Sequence, residues 1–178
     1  MLEMVKEAEK ELLRYPGYSG SYYVKRILKQ ICGRKVPPAD KFNWPNGLLA
    51  KALADYYQDH KNSEEARVIL DVLKKYYDRW IAGKCRMYYL DDAVSGMALI
   101  DLHQITGEEK YKEAADRIAE YLFHHETDGG GNLPYRPEQK NGYIFADGIG
   151  MVCPFLCKYG AVYDDMNAVN LAVTQMMN

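Results

Sequence analysis

An all-α protein built from paired helices is the fold class this chain predicts, and three observations carry it. Apolar residues recur at spacings of three and four, as in Leu48, Leu49, Ala52, Leu53, Tyr56 and again in Val68, Ile69, Val72, Leu73, Tyr76, which is the period of a helix with one buried face. Alternating strand patterns are weak throughout. Three times, at Gly47, Gly96 and Gly150, a glycine opens a strongly apolar helix that is followed by a short polar turn and an amphipathic helix.

Two N-terminal helices are predicted first, over Leu2 to Arg14 and Tyr22 to Cys32. Three helix pairs follow: Gly47 to Asp59 with Ser63 to Ile81, Asp92 to Thr106 with Glu108 to His124, and Asp147 to Tyr159 with Asp164 to Met177. The repeat is about fifty residues long, longer than the roughly 34 of a tetratricopeptide repeat, so a plain superhelical scaffold fits poorly. The first helix of a pair is apolar almost all round, as in Val94, Met97, Ala98, Leu99, Ile100 and Leu102. The second carries charge on one face, as in Glu113, Asp116, Arg117 and Glu120. That contrast predicts two concentric layers, with apolar helices inside and amphipathic ones outside.

The 178 residues are read as a single domain, residues 1–178, with enough apolar content (48%) to bury a sizeable core. A net charge of -2 gives no basic field for nucleic acid. No apolar run approaches the length of a membrane span, and Met1 to Arg14 is charged and amphipathic without an apolar signal core, which points to the cytoplasm. Cys153 and Cys157 stand at helical spacing, yet no His lies nearby at ligand spacing. Together with Cys32 and Cys85 they are read as buried free thiols rather than metal ligands. His124 and His125 end a helix, where a cationic imidazole favours the dipole.

Inner helices arranged around a ring would bring the loops before them to one mouth. Those loops hold Asn43, Trp44, Pro45 and Asn46, then Tyr88, Tyr89, Leu90, Asp91 and Asp92, then Asn141 to Asp147. Aromatic faces bury the apolar faces of sugar rings and carboxylates move protons, so this mixture suits a saccharide; the chain has 16 Tyr and 2 Trp, of which Trp44, Tyr89, Tyr135, Tyr143 and Phe145 fall in or near these loops. Asp147 stands at the head of the segment from Phe145 to Leu156. It reads either as a helix cap, a role Asp favours, or as an acid paired with Asp91 or Asp92. Two carboxylates in a partly desolvated cleft do not both ionise easily, and the one that keeps its proton can serve as a general acid.

The segments Asp147-Gly148, Met151 and Pro154-Phe155-Leu156, with Leu90-Asp91, Gly96, Leu99-Ile100-Asp101-Leu102 and Thr106-Gly107-Glu108-Glu109-Lys110-Tyr111, resemble the unsaturated rhamnogalacturonyl hydrolases and the related unsaturated glucuronyl hydrolases, glycoside hydrolase families 105 and 88. Trp44 and Asn46-Gly47-Leu48-Leu49 fit as well. The resemblance runs from Trp44 to Tyr159 and implies an (α/α)6 toroid that hydrates the C4=C5 double bond of an unsaturated uronate in pectin-derived oligosaccharides. It assigns the acid/base role to Asp147 and a supporting role to Asp91, and it implies no metal or organic cofactor. Trp44, Tyr135, Arg136, Phe145 and Met151 become the substrate-binding candidates. The chain departs from the family pattern at Tyr135-Arg136, where a His is common, and at Phe145, where a Trp is common; Arg136 could hold the uronate carboxylate bidentately.

Six pairs close such a ring and three are present, so about half a toroid is expected. Its open apolar edges could be covered by a second copy across a two-fold axis, a homodimer completing the ring. The alternative is a truncated, non-catalytic helical-repeat module that binds carbohydrate or protein. A ring epimerase is disfavoured, because His60, His103, His124 and His125 lie outside the mouth loops.

Overall fold

The computed structural model describes residues 2–14, 19–34, 42–135, 144 and 146–178. Its helices are α1 (Leu2–Leu13), α2 (Gly20–Ile31), α3 (Trp44–Asp59), α4 (Glu64–Ala82), α5 (Gly96–Thr106), α6 (Glu109–Phe123), α7 (Ala146–Tyr163) and α8 (Met166–Met177). Among the described residues no strand occurs. The fold is all-α, as the periodicity predicted, and a partial helical toroid, as the family resemblance implied.

Local chemistry sets the helix ends. Asn43 accepts from the Asn46 amide at 3.1 Å and Ser63 from the Ala66 amide at 3.1 Å; Asp165 accepts from the Asn167 and Ala168 amides. Each satisfies a donor that the helix itself cannot. With Asn43 as the cap and Pro45 just inside, where its missing N–H costs nothing, α3 starts at Trp44, three residues before Gly47. Gly107, at φ +68°, ends α5 in the left-handed conformation that favours glycine.

In the second pair the structure departs from a continuous helix. Leu90–Ser95 forms a 3₁₀ segment that runs into α5. Asp92, in its first turn, accepts from the Tyr89 amide at 3.2 Å and from the Trp44 amide at 3.0 Å. One carboxylate therefore caps the segment and ties it to the start of the neighbouring inner helix.

Each hairpin packs on itself, α3 on α4, α5 on α6 and α7 on α8, and α1 lies against α4. Across hairpins α5 touches both α3 and α7, giving the inner layer α3, α5, α7 and the outer layer α4, α6, α8. Between the layers lies a core of Trp80, Tyr76, Tyr77, Tyr111, Phe155, Leu99 and Ile100, all fully buried. Phe42 stacks on Trp80 at 3.9 Å between ring centroids, and the Trp80 indole donates to the Arg86 carbonyl at 2.9 Å.

Two of the three repeated glycines mark close approaches. A Cβ at Gly47 would lie 2.3 Å from Ser95 Oγ and 2.9 Å from its Cα, and one at Gly96 would lie 2.3 Å from the Phe155 ring. Any side chain there would push the inner helices apart. Gly150 has open space around it, so the third member repeats in sequence without the same packing reason.

The thiol prediction is corrected in part. Cys153 is buried, Cys85 half-buried, and Cys32 and Cys157 exposed, since Cys157 lies on the open face of α7. His124 and His125 are tied to backbone carbonyls, His124 Nδ1 to Glu120 at 2.8 Å and His125 Nε2 to Pro134 at 2.9 Å.

Candidate active site

The inner helices begin at a common mouth. Trp44 opens α3 and is 44% exposed; its amide donates to Asp92, which ties the start of α3 to the 3₁₀ segment. Asp91, the next residue back, is half-buried and faces α7. A Cβ on Gly148 would lie 3.5 Å from Asp91 Oδ1, an oxygen that is buried without a hydrogen-bond partner. The Tyr135 hydroxyl hydrogen-bonds the same carboxylate, and the Tyr135 ring stacks on Tyr89 with centroids 6.2 Å apart and planes 7° apart.

Asp91 and Asp147 thus lie close together at the mouth, whereas Asp92 is held apart by its own hydrogen bonds. Asp92 is 1% exposed and its oxygens are committed to backbone amides. Asp91 instead adjoins Asp147. Burial first, and then the Asp147 charge, push the Asp91 carboxyl above its ordinary value of 3.8, against the opposing Tyr135 hydrogen bond. Asp147 is exposed in the first turn of α7 and accepts from the Gly148 amide at 3.0 Å. The helix begins one residue earlier than predicted, at Ala146, so Asp147 lies in its first turn, where its carboxylate takes a backbone amide as a cap would.

Met151 lies one turn below Asp147 and is half-buried. A small recess beneath the acids is lined by Leu90, Leu133, Tyr135, Gly148, Ile149 and Val152. Arg136, Tyr143 and Phe145 lie outside the described residues, as do Asn141 and Gly142.

Deeper on the inner layer stands a third carboxylate that the sequence reading had not singled out for a role. Asp101 of α5 is 6% exposed. It pairs with Lys158 of α7, and its second oxygen lies 3.7 Å from Lys51 Nζ of α3, which also pairs with Asp55. An acid inside an otherwise apolar helix was the available signal; the lysines that answer it are distant in sequence.

No group of three or more His, Cys, Asp or Glu among the described residues is arranged to hold a metal ion. No helix among them is long and apolar enough to cross a membrane.

Helical hairpins in a partial ring, with adjacent carboxylates and stacked tyrosines at the mouth of the inner layer, define an α/α-toroid protein of the glycosidase type. The profile of glycosyl hydrolase family 88 matches residues 22–178, and the chain belongs to that family. It is similar to the unsaturated rhamnogalacturonyl hydrolase YesR of Bacillus subtilis (strain 168), with 24% identity over 146 residues. That alignment covers 79% of this chain and 41% of the relative, so the chain spans about two fifths of the relative's length. No solved structure matches.

Proposed function

We propose that this chain carries the acid pair of an unsaturated uronyl hydrolase acting on pectin-derived oligosaccharides. The observation that supports it most is the placement of Asp91 beside Asp147, one half-buried and reluctant to ionise, the other open to substrate. An enol ether is activated by protonation, so a positioned acid suffices without a nucleophile. In this reading the one proton that the acid pair shares is delivered by Asp147 to C4, water adds at C5, and the proton lost by that water returns to the pair. The hemiketal at C5 then opens to a ketone, and collapse at C1 releases the neighbouring sugar. Asp91 supports the step by holding the local charge to one, and Trp44, Tyr135 and Met151 line the approach, with Arg136 and Phe145 as further contacts.

Loss of ultraviolet absorbance from an unsaturated galacturonyl disaccharide tests the proposal. Wild type is expected to consume the chromophore much faster than Asp147→Asn; equal rates refute the catalytic assignment. Saccharide binding without turnover, unchanged by Asp147→Asn, would instead make the chain a non-catalytic binding module. The exposure of Trp44 and Leu48 on the open inner face favours that second reading, because a working cleft closes around its substrate.

Within the proposal, residues 1–178 form one domain supplying three of six hairpins, in the cytoplasm, and a second copy completes the ring. The exposed side of α8, with Val173, Met176 and Met177, suits such a contact. Light scattering is expected to show a dimer; a strict monomer at working concentration removes the ring-completion idea.

A further inference from the structure

Helix α2 carries Lys25, Arg26 and Lys29 and no acidic residue, and Arg34 follows it. In a chain of net charge -2 this is a local concentration of positive charge. Arg26 and Arg34 line a cavity of about 330 Å³ together with Tyr22, Gln30, Tyr88 and Tyr89, at the lower end of the ~300–1,000 Å³ typical of small-ligand sites. Neither guanidinium forms an ion pair with a described residue.

The cavity is joined to the mouth through one shared wall. Tyr89 lines it on one side and stacks on Tyr135 on the other, and Tyr135 hydrogen-bonds Asp91. A chain of sugars leaving the acid pair along these rings would reach Arg26 and Arg34. The backbone of Tyr89 is held by the hydrogen bond its amide N–H donates to the buried Asp92 carboxylate, and its ring by the stack on Tyr135, so the platform is preorganised. Paired guanidiniums beside aromatic faces match a sugar that bears a carboxylate: the rings take its apolar face and the forks take the anion.

We infer that Arg26, Arg34, Tyr22, Tyr88 and Tyr89 form a distal subsite for a second acidic sugar, which makes the preferred ligand an oligosaccharide with a free uronate beyond its unsaturated end. The inference rests on the saccharide reading of the mouth. It adds a specificity that the acid pair at the mouth could not supply, since the charge left on that pair repels a carboxylate.

Calorimetry with unsaturated trigalacturonate, and with the same trisaccharide methyl-esterified on its two saturated sugars, tests it. Titrations are run in the Asp147→Asn background so that nothing turns over. The free acid is expected to bind at least about tenfold more tightly than the ester, the scale of one charge-assisted hydrogen-bond pair. In Arg26→Gln/Arg34→Gln that preference should vanish while the affinity for the ester stays unchanged. Equal affinity for the two ligands before the arginines are changed, or a preference that survives their replacement, overturns the subsite and leaves the saccharide reading standing. Binding of neither ligand overturns the saccharide reading itself, and the subsite with it.

Discussion

Asp91 at the mouth and Asp101 on the floor of the same inner layer are carboxylates shielded from water and placed ten residues apart on one continuous stretch of backbone. Their surroundings are opposite. Asp101 is met by a lysine from each neighbouring inner helix, whereas Asp91 is met by another acid and a tyrosine hydroxyl. Burial of a charge is tolerated when a counter-charge accompanies it and penalised when it does not. The floor therefore uses its carboxylate to hold helices in register, and the mouth keeps one whose charge the fold discourages, a common mark of a site that does chemistry.

The strongest way to break this contrast is at the mouth. Asp147→Asn is expected to lower turnover of an unsaturated galacturonyl disaccharide by at least about 100-fold, the lower bound of what a positioned acid contributes, while leaving the denaturation midpoint nearly unchanged because the side chain is exposed. At the floor the effects should be reversed. Asp101→Ala strands Lys158, whose side chain is 20% exposed, and leaves Lys51 with Asp55 as its partner, and is expected to cost about 3 kcal/mol in urea unfolding. A loss below about 1 kcal/mol would class the cluster with ordinary surface pairs.

The smallest effect concerns pH. The Asp91 carboxyl is raised in the folded chain above its ordinary 3.8, so ionising it disfavours the fold, and that penalty is fully present above the folded value and relieved as pH falls through it toward the unfolded one. Asp91→Asn, neutral throughout, should unfold at higher urea than wild type at neutral pH, with the gap closing in acid. A gap that widens in acid would mean the carboxylate is stabilised in the fold and would erase the difference between mouth and floor.

The helices and their two layers were legible because the 3.6-residue period and the apolar or amphipathic character of each segment are local properties. The partnership of Asp91 with Asp147 was legible for a related reason, since equivalent loops of stacked repeats must converge. Less was legible where partners are remote. Nothing near Asp101 in the chain announces Lys51 or Lys158, and nothing near Asp92 announces the Trp44 amide 48 residues away. The start of α3 moved because Asn43 and Pro45 set a boundary that the glycine pattern had obscured. The 3₁₀ segment at Leu90–Ser95 reflects the same tie between Asp92 and two amides, which tightens the backbone where periodicity alone predicts α-helix.

The cluster of Lys51, Asp101 and Lys158 also bears on how the molecule comes apart. A row of hairpins that touch only their neighbours can fray from an end, one repeat at a time. Here a single anion is shared by helices from all three hairpins, so withdrawing either outer one leaves the middle one with a half-compensated charge in its interior. Unfolding is therefore expected to be cooperative across the set, with amides of α3, α5 and α7 showing similar hydrogen-exchange protection, and with α7 opening ahead of the others once Asp101 is replaced by Ala.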